Sequence, residues 1–145
     1  MTDIVIVDAS KTPIEVSFTV AQGLSGSVSN DLFMFSIIAQ SNFGGQRVIA
    51  FNGTNYFYAS YLTPLESIKS IGISKNAAST GTELKIQTLG NLTDPSFTWV
   101  IGEILYLGDN GLLTNLTPIT GLFWELARVV SQNTICFNPK SPIIR

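Results

Sequence analysis

The sequence predicts a mostly-β chain, a small barrel or sandwich of short antiparallel strands preceded by an N-terminal β arm. Three observations carry that expectation. Apolar residues alternate with polar ones at Ile14, Val16, Phe18 and Val20 against Glu15, Ser17 and Thr19, the period-2 pattern of a strand with one buried face. Short apolar runs then recur along the remaining chain, separated by Gly, Asn, Asp and Pro clusters. The clearest helical segment, Thr63 to Lys69, is only one turn or two long.

Ile4 to Val7 reads as a short partner for the Ile14–Val20 strand, with residues 9–13 turning between them. Residues 21–31 are rich in Gly and Ser and read as a linker, so residues 1–40 are expected to form an arm or attachment segment and 41–145 a barrel-like domain. Residues 32–39 read as a strand buried on both faces. Next come Arg47 to Phe51 and Tyr56 to Ala59, which flank Asn52-Gly53, a hairpin turn that needs positive φ. Thr63-Pro64-Leu65-Glu66 reads as a brief helical plug at a barrel end, with Thr63 as N-cap, Pro64 at the first position and Glu66 closing a capping box.

Strands are expected at Ile71 to Ser74, Glu83 to Leu89 and Phe97 to Ile101, with residues 90–95 as a separator. Ile104 to Leu107 and Leu112 to Thr114 form another hairpin across Gly108-Asp109-Asn110-Gly111. Residues 122–130 fit either a helical stripe or a strand. The strand is favoured, because Ser131-Gln132-Asn133 has hairpin length and Thr134 to Phe137 supplies a partner.

Composition narrows function. The chain has 145 residues, enough for one compact domain with an arm, and only 12% of them are charged against 45% apolar. So little charge leaves apolar surface for neighbouring subunits to cover, which argues for an oligomer. Net charge is −2 and the basic residues are scattered, so nucleic-acid binding is not expected. There is no His, which removes the commonest general base and the commonest transition-metal ligand. No catalytic residues, metal site or cofactor are expected, and Cys136, the single cysteine, reads as a buried inert thiol.

Asp109 reads as a turn residue, and Asp3, Asp8 and Asp31 as solvated strand ends. Glu103 and Glu125 would make an acid/base pair only if the fold brought them together. Ser25 and Ser27 mimic a nucleophile elbow without a histidine, and no Gly-Lys-Ser/Thr follows the Gly pairs. Asn52, Asn91 and Asn115 match the glycosylation pattern but read as turn residues. The N-terminus lacks a basic n-region, and no apolar run approaches the ~20 residues that span a bilayer, so a soluble product of the cytoplasm without membrane insertion is expected. The aromatics Tyr56, Tyr58, Tyr61 and Trp124 could stack on a sugar, although Tyr and Trp serve cores and subunit contacts equally well.

From Arg47 to Ile144 the chain resembles a recurrent domain of tailed-bacteriophage virion proteins, found in capsid decoration or head-fibre proteins and in tail-fibre proteins. The best stretch is Gly102-Glu103-Ile104-Leu105-Tyr106-Leu107-Gly108-Asp109-Asn110-Gly111-Leu112-Leu113-Thr114, followed by Pro118, Gly121, Ile135, Phe137 and Ser141-Pro142-Ile143. Upstream, Arg47-Val48-Ile49-Ala50, Ile71-Gly72-Ile73-Ser74, Ala77-Ala78 and Gly81 also look similar. The pattern departs at Leu126-Ala127, where the family has Ile-Gly. The resemblance implies a homotrimer in a virion, assembled in the host cytoplasm, with capsid, tail or baseplate proteins as partners. Ile14, Val16, Phe18 and Val20 would then form an attachment strand, and a host-surface glycan is the alternative partner.

Overall fold

A computed structural model describes residues 33–145. The expected strands at Ile4 to Val7 and Ile14 to Val20, the linker at 21–31, and Asp3, Asp8, Asp31, Ser25 and Ser27 lie outside the described residues.

Two five-stranded antiparallel sheets dominate, a sandwich of short strands and not a closed barrel. The first contains β1 (Met34–Ile38), β2 (Val48–Phe51), β3 (Tyr56–Tyr58), β4 (Ser70–Ser74) and β5 (Glu83–Gln87), in the order β1-β5-β4-β2-β3. The second contains β6 (Gly90–Thr93), β7 (Ile104–Leu107), β8 (Leu113–Thr114), β10 (Glu125–Ser131) and β11 (Thr134–Phe137), in the order β6-β11-β10-β7-β8. A small ribbon pairs β9 (Leu122–Phe123) with β12 (Ile143–Ile144).

The main core lies between the sheets. Val48, Ala50 and Ile73 face Leu92, Leu105, Leu107, Leu126, Val129, Ile135 and Phe137 across it. A second cluster covers the opposite face of the first sheet, where Ile49, Leu84 and Ile86 meet Phe43 and Ala78 from neighbouring loops. The bridge between Phe43 and Ala78 holds those loops together.

The β2–β3 hairpin forms as expected. Asn52 Oδ1 accepts the N–H groups of Thr54 and Asn55, and Gly53 supplies φ of 99°. Residues 122–130 are strand, because Leu126 and Val129 fill the inter-sheet core while β10 pairs on both sides with β7 and β11.

Several expectations are corrected. Gly90–Thr93, expected as a separator, is β6, because Leu92 is buried opposite Ile135 and the strand completes the sheet beside β11. Phe97 to Ile101, expected as a strand, is irregular: the Phe97 N–H turns back to the Asp94 carbonyl, and Val100 and Ile101 are exposed. Residues 34–38 are not buried on both faces. They form an edge strand paired only with β5 among the described residues, so part of the segment expected as arm belongs to the first sheet.

The helical turn α1 (Pro64–Ser67) plugs no barrel, and the capping box does not form. The Thr63 side chain turns instead toward Ser67 Oγ, 3.2 Å away. Ser67, fully buried, does the anchoring: its hydroxyl accepts the Ser60 N–H at 2.8 Å and donates to the Ser60 carbonyl at 2.7 Å. Ser67→Ala leaves the Ser60 N–H unpaired in the interior and its carbonyl with the Thr63 N–H at 3.2 Å, and a loss of about 1–3 kcal/mol is expected in urea unfolding. Cys136 is half-buried rather than core, because Ile135 and Phe137 on either side of it point inward.

Candidate interaction surface

One end of the sandwich is built from the segment after β3, the β7–β8 turn and the loop from β8 to β9. The β7–β8 turn docks onto β2 and the segment after β3 through backbone bonds: the Val48 N–H donates to the Gly111 carbonyl, and Gly111 N–H to the Ala59 carbonyl. Asp109 holds the turn to its neighbour. Its Oδ1 accepts the Ser60 hydroxyl at 2.7 Å and the Asn110 N–H at 2.9 Å, a conformational role consistent with its place in a tight turn.

The β8–β9 loop is fixed at both ends. Asn115 Nδ2 donates to Glu103 Oε1 at 2.8 Å, and Arg145 donates to the Pro118 carbonyl at 3.0 Å while its guanidinium lies 4.3 Å from the Phe123 ring centroid. The Val100 N–H and then the Asn115 amide, both bonded to the Glu103 carboxylate, hold its pKa below the usual range. Ser96 does the same for Asp94, first through its hydroxyl and then through its N–H.

Between these segments lies a cleft of about 320 Å³, walled by Tyr61, Asp109, Leu116, Pro118 and Ile119. Its rim is apolar and open: Ile119 is 82% exposed and Leu116 75%. Leu65 on α1 is also exposed. Leu116 and Ile119 thus put two large aliphatic side chains on one anchored loop beside the cleft. In the sequence Asn115-Leu116-Thr117 reads as turn and Ile119 draws no reading, because apolar residues in a loop have no periodicity to betray their direction.

The four aromatics proposed for glycan contact do not converge. Tyr56 stacks on Phe51 at 4.5 Å. Tyr58 lies under Arg47, edge-on to Phe43, and its hydroxyl accepts the Gly44 N–H at 2.7 Å. Trp124 is buried in the inter-sheet core and donates to the Lys140 carbonyl. Only Tyr61 reaches the cleft. Ile14, Val16, Phe18 and Val20 lie outside the described residues.

Glu103 and Glu125 do not meet. Ile104 pairs with Arg128 and Tyr106 with Glu125, so the two glutamates sit about three strand residues apart, roughly 10 Å along the ladder. Among the described residues no group of three His, Cys, Asp or Glu side chains is placed to hold a metal ion, and no helix is long and apolar enough to cross a membrane.

No family model matches the chain, and neither does any curated protein or solved structure.

Proposed function

We propose that the chain is a structural component of a bacteriophage particle, a tail-fibre or capsid-decoration protein that works as a homo-oligomer about a three-fold axis. The virion assignment and the number three rest on the sequence resemblance. The oligomeric part is carried by one structural observation, the exposed Leu116 and Ile119 at the cleft. Burying such side chains gains about 25 cal/mol per Å², a gain that a neighbouring copy would collect. The sparse charge agrees: among the described residues the one ion pair is Lys85 with Glu83 at 3.9 Å, half-exposed. A surface with few charges offers little resistance to association.

The test is the mass of the full chain in solution at micromolar concentration, beside its copy number in purified particles. The expected result is a multiple of the monomer mass and a copy number divisible by that multiple. The double variant Leu116→Asp/Ile119→Asp is expected to lower the mass while keeping the β-type circular dichroism. A wild-type chain that is monomeric at every concentration, or found only in lysates and never in particles, would overturn the reading.

A further inference from the structure

We propose that the outer edge of β1, which has no strand partner among the described residues, is a second self-association surface, on which β1 of another copy pairs antiparallel about a two-fold axis. This deepens the oligomeric reading above and rests on it. The Thr88 N–H donates to the Phe33 carbonyl at 2.7 Å, and the Ala39 N–H donates to the Thr82 carbonyl at 2.9 Å. In an antiparallel pair such bonded positions alternate. Phe33, Phe35, Ile37 and Ala39 therefore turn their backbone groups toward β5, and Met34, Ser36 and Ile38 turn theirs outward.

The outward set is self-complementary. With Ser36 opposite Ser36 of a second copy, Met34 falls opposite Ile38, and each outward N–H meets an outward C=O. In the same register Phe35 comes beside Ile37 of the second copy, at the 4.5–5.5 Å Cβ spacing typical of facing residues. Phe35 and Ile37 share their face with Ile86 and Leu84, so the second copy extends the outer core exactly where it stops, at a Phe35 that is 41% exposed.

The other edges fit this role less well. β8 has two residues, the Tyr56 N–H on β3 is taken by the Gln40 side chain, and the Asn91 carbonyl on β6 is taken by Gln87. β1 is the longest edge strand and carries none of the usual protection: no charge, no proline and no bulge.

The exposed parts of Phe33, Phe35 and Ile38 amount to a few hundred Å² per copy, below the roughly 800 Å² per partner of a stable standard interface. The occupant is therefore a second copy held by a contact that is reversible alone and persistent when a further interface supports it.

The test is sedimentation of the full chain from micromolar to several hundred micromolar, as wild type, Ser36→Pro, Ser36→Lys and Ser36→Thr. Proline removes an outward N–H without touching the β5 ladder. Lysine sets like charges face to face at the two-fold, beside Lys85 of each copy. The expected result is a wild-type and Ser36→Thr mass that rises with concentration to twice that of the Pro and Lys variants. Melting curves check that the variants fold, and Ser36→Lys, which keeps the backbone N–H, serves if proline does not. Trimers for all four proteins would overturn the β1 contact and leave the oligomeric reading standing. Monomers for all four would overturn both.

Discussion

Gly121→Ala is expected to destabilise the chain by more than about 3 kcal/mol, the sum of a strained backbone and a steric overlap. Gly121 has φ of 75°, and a Cβ built on it would overlap the Tyr61 carbonyl oxygen. That oxygen accepts the Leu122 N–H at 2.8 Å, and the Gly121 carbonyl accepts the Arg145 N–H at 2.7 Å. Relief of the overlap would thus displace the segment after β3, the start of β9 and the chain terminus together. The cleft wall at Tyr61 moves with them, so the surface is lost with the stability.

Gly53→Ala provides the comparison. Its φ of 99° imposes a similar backbone strain, but nothing lies within 4 Å of the new Cβ. A cost of about 1 kcal/mol is expected there, from the backbone alone. Urea unfolding of both variants measures the difference. Equal losses at the two sites would show that the approach of Tyr61 is not what requires glycine at 121.

The contrast between these glycines also shows what was legible in the sequence. Asn52-Gly53 announced its hairpin because the turn chemistry is local, and the β7–β8 hairpin across Asp109-Asn110-Gly111 was equally plain. Gly121 gave no hint of Tyr61, because the two are brought together only by the stacking of the sheets. The same distinction explains the exchange of β6 for the expected strand at 97–101. Leu92 sits among Gly, Asn, Thr, Asp and Pro, whose turn propensity outweighed one buried leucine, whereas Val100 and Ile101 look like a core run and are exposed.

The candidate surface was hardly legible at all. Tyr61 draws notice together with Tyr56 and Tyr58, which pack on the outer cluster, and Leu116 and Ile119 draw none, since direction in a loop depends on distant anchors such as Glu103 and Arg145. Ser67 left no trace either, because its value lies in a pair of bonds to Ser60 that no spacing encodes.

Phe137→Ala is the second large effect expected, about 3–5 kcal/mol. Phe137 is 1% exposed in the inter-sheet core, on the interior strand β11, opposite Ala127 on β10 and Gly90 on β6. Both cross-strand neighbours are small, so little side chain is available to collapse into the space the ring leaves. The cost therefore includes the cavity as well as the lost transfer energy. Cys136→Ala, one residue away, is expected to cost about 1 kcal/mol or less, because the thiol points away from that core and is half-buried. Chemical unfolding of the pair separates the faces of one strand. A Phe137→Ala loss no greater than that of Cys136→Ala would mean the two sheets do not meet through this ring. The residual folded fraction of Phe137→Ala should still associate as wild type does, since neither the cleft rim nor β1 touches position 137 in the strand ladders. Stability and assembly are thus expected to fail separately, the first through the core between the sheets and the second through side chains and a strand edge that the described residues leave uncovered.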